Sequence, residues 1–579
     1  MAIQTPKQRL ANQKFNKNIE KHRKFGKAKP TKSDDSNKPQ ISPYWIKRLY
    51  STTNKDPLIT PYEREQLSKL PFFKESNIER DPIQTNKTYT RERENYIRKK
   101  IKAVKSVVGT NPNDMPFLSY DFHKSLPTMY DCITESKSHG RLSVTKMMTK
   151  SWCELRYSYD VYSRLDKLVT RNISSGISFH KSLEDKLIIE NEDLKDFLQL
   201  QQMESFQKSV VYKWQETMER LINIFSSDIG EAREILCHGY IENKDVNESQ
   251  DGKFLVDVDA FVEKQKEDSK NVMLVSGIID HLKWINNSET YTKFDLFDDI
   301  FNDINITNDL PILISSLQTE IPKRIDNWKL QLTDVKTRQM FTIPNQTSVQ
   351  RASKLQIMYY KNFLNILTLN PEHTYSMLLL NAKKRELDID KPLEPLEIVA
   401  LMMKNPSIIP DMRRLRDGEG INFKPYDTTI PQKTVGFKDF SEQYDSLSPD
   451  LKEKSREFMV TLKKPVTLRY FAARLAQTYN LFNSLLSDDL LIEYYCRGKN
   501  FHNVPFKYNE LLLKEHNSDR TNYLLGKRHV EPIDQTLENF LTYCKHCEYQ
   551  TICSWKHEGE QKLKILGKEL TDLWVADNK

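Results

Sequence analysis

In VSGIIDHLKW an apolar run ends on Asp280, and in LQLTDVKTRQ a second delivers Asp334 and, two residues on, Lys336. If both runs are strands, alternation puts Asp334 and Lys336 on one face, with Val335 turned away. Two carboxylates from adjacent strands suit a hard divalent ion such as Mg²⁺, which takes oxygen ligands. A lysine beside them can position a water or neutralise charge on a phosphate. Upstream, SFHKSLEDK sets His180 and Glu184 four apart, on one face of a predicted helix and within reach of the same ion. Downstream, Gln356 and Tyr360 share that spacing and could grip a phosphate or base.

A second constellation sits near the C-terminus. LTYCKHCEYQTICSW holds Cys544, Cys547 and Cys553, three of only seven cysteines. Thiolates at C-x₂-C-x₅-C favour zinc or an iron–sulfur cluster, and isolated cysteines elsewhere do not read as a disulfide framework. The spacing leaves the fourth ligand open. His546 or His557 would complete a zinc site; among distant thiols the candidates are Cys153 and Cys132. Cys237 and Cys496 fall in strand-like segments and read as small buried hydrophobes.

The elements that must position these groups follow from periodicity. LSVTKMMTKSWCELRYSYDVYSRL predicts a helix capped by Ser143 or Thr145, and ISFHKSLEDKLIIE a second. REILCHGYI, NVMLVSGIIDHL and WKLQLTDVKTR read as strands, with LLIEYYCRG and VPFKYNE as later edge strands. Helix dominates from SKLQIMYYKNFLNIL onward. The fold class is therefore α/β, a small mixed sheet flanked by helices. Trp152, Tyr157, Tyr159, Tyr359 and Tyr360 could stack on bases, although stripes at helical spacing are usually core. The stretch 285–325 reads as a polar, acidic insertion with no assigned role.

Charge is uneven. The chain of 579 residues carries +8 overall and +10 in its first 50, so the remaining 529 carry −2. Any nucleic-acid affinity must come from a local groove. No apolar run approaches the roughly 18 residues of a membrane span. Absence of GxGxxG and GxxxxGK[ST] argues against a nucleotide-driven motor.

The order H-x-x-x-E, G-I-I-D, D-x-K, Q-x-x-x-Y resembles the RecB-type branch of the PD-(D/E)xK nucleases. An early cysteine and a late C-x₂-C-x₅-C bracketing those motifs is similar to the exonuclease V family, across about residues 141–556. The resemblance implies His180, Asp280, Asp334 and the Val335 carbonyl as Mg²⁺ or Mn²⁺ ligands and Lys336 as the catalytic lysine, with Gln356 and Tyr360 in the helical motif. It implies a [4Fe–4S] cluster on Cys153, Cys544, Cys547 and Cys553, stapling the first helix of the domain to the last. It further implies a monomeric exonuclease of single-stranded DNA, 5′-preferring, releasing short oligonucleotides and working beside a single-strand binding protein. Rival readings are a structure-specific endonuclease and a catalytically dead cluster- or zinc-bearing nucleic-acid binder; intact His180, Asp280, Asp334 and Lys336 disfavour the latter.

Residues 1–50 read as a basic transit segment ending in IKRLYSTTNK, which points to the mitochondrial matrix. Residues 4–27 also resemble the cytosolic head of RAMP4-type proteins of the endoplasmic reticulum, a likeness on which no function is built. Residues 51–140 form a polar extension and 141–579 the expected nuclease domain.

Overall fold

The computed structural model describes residues 87–577 except 109–126, 136–139, 149–152, 166–167, 169–170, 185–205, 243–252, 260–271, 287–293, 430–451, 454–455 and 457–461. The basic leader and Trp152 therefore lie outside the described residues. Everything described belongs to one compact unit, Lys87–Lys579. It begins before the expected boundary at 141, because helix α1 (Lys87–Val108) buries Val104 and ion-pairs Lys100 with Asp160.

Seven strands form one mixed sheet: β1 (Leu142–Ser143), β2 (Glu231–Glu242), β3 (Lys253–Leu255), β4 (Val272–Asn286), β5 (Trp328–Arg338), β6 (Asp489–Cys496) and β7 (Lys499–Lys507). The order is β3-β2-β4-β5-β6-β7, with β1 added in parallel to β4. All other neighbours are antiparallel except β5 and β6. That parallel pair requires a crossover, and the helices between Thr347 and Asn480 supply it. β6 and β7 join through Arg497 and Gly498, at φ 52° and 77°, the positive-φ pair that suits a two-residue hairpin turn.

The predicted first helix is broken. Val144–Met147 is a single short turn of helix, and α2 (Glu154–Tyr162) starts afresh with Cys153 as its extended N-cap. Cys153 thus sits at a helix entrance instead of within a helix. Glu154, 1% exposed, explains why the chain restarts there. It accepts from Arg520 Nη1 at 2.9 Å, from Arg528 Nη2 at 2.7 Å and from the Glu531 N–H at 2.8 Å. A buried carboxylate is tolerated only with such partners.

After α2 come α3 (Arg171–Glu184), α4 (Phe206–Asn223) and α5 (Leu310–Arg324). Helix α5 corrects the reading of 285–325 as a polar insertion. Asp309 caps it, accepting from the Ile312 N–H at 3.1 Å, and Leu313, Ile314 and Leu317 are buried. Phe294 stacks on Trp284 at 4.4 Å, so the segment closes an aromatic cluster at the end of β4.

The long helix α6 (Thr347–Leu369) crosses the sheet, with Leu355, Tyr359, Tyr360 and Phe363 buried. Helix α7 (Leu468–Asn480) packs against α4 and α6, and α8 (Glu510–Leu524) carries Arg520. Close approach of α6 depends on two glycines. A Cβ on Gly239 would lie 2.2 Å from the Phe363 ring, and one on Gly277 2.3 Å from the Tyr360 ring. The glycine of the G-I-I-D string is there for packing. Gly277→Ala is expected to cost roughly 1–3 kcal/mol of stability as overpacking, read from chemical denaturation.

Candidate active site

β4 delivers Asp280 and β5 delivers Asp334, Val335 and Lys336. Arg233 pairs with His281 and Ile235 with Ile279, so Glu234 on β2 faces Asp280. Glu234 holds φ 54°, a left-handed conformation that costs a non-glycine residue of order 1–3 kcal/mol. Helix α3 brings His180 to the same strands, its Nδ1 4.0 Å from Glu234 Oε1. One ligand atom from each of His180, Glu234 and Asp280 lies within 4.8 Å of the others.

Asp334 stands beside this trio and turns to Lys336, whose Nζ is 2.7 Å from Asp334 Oδ2. Apart from that ion-pair contact, neither Asp334 oxygen has a hydrogen-bond partner, although the residue is 1% exposed. Orphaned buried carboxylate oxygens next to a His–Glu–Asp trio fit the donor set of a divalent cation. Lys336 Nζ also donates to Gln356 Oε1 at 3.1 Å, and Gln356 Nε2 to the Tyr360 hydroxyl at 2.8 Å. The helical motif therefore aims the lysine. Val335 acts through its backbone: its N–H donates to Asp280 Oδ2 at 2.8 Å.

Burial pushes the Asp280 carboxyl well above its usual range, and the Asp334 and Glu234 charges add to that push. Burial also holds His180 below its ordinary value, against the pull of Asp334. A ring kept neutral is in the state a metal ligand needs. Burial opposes the charge on Lys336, yet Asp334 and Asp280 outweigh it and keep the amine cationic.

The sequence-read residues His180, Asp280, Asp334, Val335, Lys336, Gln356 and Tyr360 converge here. Glu184 ends α3, and its side chain lies outside the described residues. Glu234 was missed. Its available signal was an acid on the strand that pairs with the Asp280 strand, which no fixed spacing encodes. Tyr157, Tyr159, Tyr359 and Tyr360 are 6% exposed or less, so they form core and offer no stacking surface.

Cys153, Cys544, Cys547 and Cys553 line a second cavity with Tyr159, Ile533 and Trp555. Burial pushes the Cys544 and Cys553 thiols up to about 11 and Cys547 to about 12, and neighbouring cysteines add to each shift. Four thiols in one apolar recess, near Arg156 and Lys556, match the donor chemistry of an iron–sulfur cluster. Protein contacts register this recess independently. Arg156 grips Glu548 through two hydrogen bonds of 3.0 and 3.1 Å, and Tyr549 donates to Asp160 at 2.7 Å. Cys132, Cys237 and Cys496 are buried apart from this recess.

The raised carboxyl of Asp280 has a defined sign. The folded state holds its proton more tightly than the unfolded chain, so stability is lost as pH rises from the unfolded value through the folded one. In EDTA at neutral pH, Asp280→Asn should raise the thermal midpoint, and the gain should vanish in acid below the unfolded carboxyl range. Added Mn²⁺ should raise the wild-type midpoint, and Glu234→Gln should weaken Mn²⁺ binding at least about tenfold, read by thermal shift and calorimetry.

Among known proteins, a family model described as exonuclease V, a 5′ deoxyribonuclease, matches residues 134–556. A protein of Vanderwaltozyma polyspora named "Exonuclease V, mitochondrial" is 35% identical over 543 residues, covering 89% of this chain and 93% of its own. Proteins of the same name from Kluyveromyces lactis and Saccharomyces cerevisiae are each 33% identical, covering 91% and 92% of this chain and 98% and 93% of theirs. With a match of that extent around a buried carboxylate–lysine site, the chain belongs to the exonuclease V family and is a DNA exonuclease.

Proposed function

We propose that the protein is a divalent-cation-dependent exonuclease of single-stranded DNA, built on a PD-(D/E)xK core and acting in mitochondria. The observation that carries this reading is the convergence of His180, Glu234 and Asp280 beside the Lys336–Gln356–Tyr360 chain. His180, Glu234 and Asp280, with Asp334 alongside, would hold Mg²⁺ or Mn²⁺. When bound, the ion supplies Lewis-acid polarisation of the scissile phosphate and activation of water.

The chain's own residues do the rest. Lys336, kept cationic and aimed by Gln356, faces the charge that builds on the phosphate. Buried Asp280 and Asp334 keep the site free of competing cations of the wrong size only if their own geometry is held, and the Val335 N–H holds Asp280. A 5′ preference follows the family description of a 5′ deoxyribonuclease. The mitochondrial name of the relatives and the basic leader support matrix location. No described helix is long and apolar enough to cross a membrane.

Cys153, Cys544, Cys547 and Cys553 are proposed to hold a [4Fe–4S] cluster, which would fix the entrance of α2 to the C-terminal segment. Anaerobically purified protein should contain about four irons and matching labile sulfide per chain, lost in Cys153→Ala. Zinc unaffected by that substitution would sink the cluster.

Lys336→Met should lower the cleavage rate of labelled linear single strands roughly 10²–10³-fold while leaving their binding intact. Circular single strands should survive the wild-type enzyme. Their digestion would replace the exonuclease reading with the endonuclease one.

A further inference from the structure

A cavity of about 560 Å³ is lined from helix α3, the end of β5 with the loop after it, and the β6–β7 turn. It begins one residue from that centre on two elements, since Phe179 precedes His180 and Thr337 follows Lys336. Phe179 and Tyr495 meet in its wall with ring centroids 5.2 Å apart. The loop after β5 rims it with Met340, 69% exposed, and Phe341 beyond, 56% exposed. Large apolar side chains left open beside a cavity mark an interaction site.

Its charge is one-sided. Arg338 and Arg497 line it, and no carboxylate does among the described residues. Arg338 spends only Nε, on the Thr342 carbonyl at 3.3 Å. Arg497 is exposed at the tip of the β6–β7 turn and makes no ion pair or hydrogen bond among the described residues. Its left-handed backbone fixes where the guanidinium starts. Aromatic rings together with arginines, one residue along two elements from the candidate catalytic centre, fit an unstacked strand whose bases are free to pack on a side chain.

We propose that this cavity is the seat of an unpaired base next to the scissile phosphate, packed against Tyr495, Phe179 and Met340, with the adjoining phosphates on Arg338 and Arg497. This rests on the exonuclease reading and names the strand-binding subsite of that centre. Such a seat registers the strand, so it sets where the cut falls relative to the bound base.

The test is metal-free binding of a fluorescent oligothymidylate to the full chain, by anisotropy across a salt series, paired with a probe whose bases are replaced by abasic sites. Tyr495→Leu and Met340→Ala should each weaken oligothymidylate binding by roughly tenfold and leave the abasic probe unaffected, while Tyr495→Phe keeps wild-type affinity. Arg497→Asn suits the positive φ, so the turn survives; it should reduce the salt slope by about 0.7 on both probes. Wild-type affinity in Met340→Ala and Arg497→Asn, or equal losses on both probes in Tyr495→Leu, would overturn the subsite. Failure of the wild-type chain to degrade linear DNA would instead overturn the exonuclease reading, so the two failures are separable.

Discussion

Three carboxylates, Glu234, Asp280 and Asp334, are concentrated within three adjacent strands with one lysine and one histidine for company. Like charges at this depth repel, and the raised carboxyl of Asp280 is the visible sign. Everything nearby can be read as holding that repulsion in place. β2 accepts a left-handed residue to present Glu234, β5 offers its backbone N–H to Asp280, and α6 lies close enough to steer Lys336 only because β2 and β4 present glycines to it. Such an arrangement is stable as a frame and unfavourable as a charge distribution, so the surrounding strands and α6 must hold it.

The candidate-site residues were legible where they sit at fixed spacings on single elements: D-x-K needs only strand alternation and Q-x-x-x-Y only a helical turn. Glu234 was not legible, since its place depends on the register between two strands forty-odd residues apart and on one unusual φ. The five strands with apolar runs were readable for the same local reason, although β6, expected at an edge, lies inside the sheet between β5 and β7. The broken helix was not: the side chains from Met147 to Tyr159 repeat as a helix would, yet the chain restarts at Cys153 because Glu154 must meet two arginines supplied from a distant part of the chain. Composition misled at 285–325, where Asp and Asn residues cap and flank helix α5 and mask its buried apolar face of Leu313, Ile314 and Leu317.

The thiol recess and the active site share one design. Both gather residues from remote segments, and in both ordinary protein contacts do the positioning. The Arg156–Glu548 ion pair, the Asp160–Tyr549 hydrogen bond and the Tyr159–Tyr549 ring contact bring α2 to the C-terminal segment, so four cysteines face one recess. A cluster assembled there would lock an arrangement the chain has chosen, and its binding would release protons from thiols that burial keeps protonated.

The Glu154–Arg520 ion pair spans 366 positions. At ~5–20 residues per second, roughly 20–70 s of synthesis separate the two partners. Through that interval a carboxylate destined for complete burial has no cation to meet, and the sheet made from the middle of the chain waits with one flank open. The flank that Glu154 closes can therefore form only once nearly the whole chain is present.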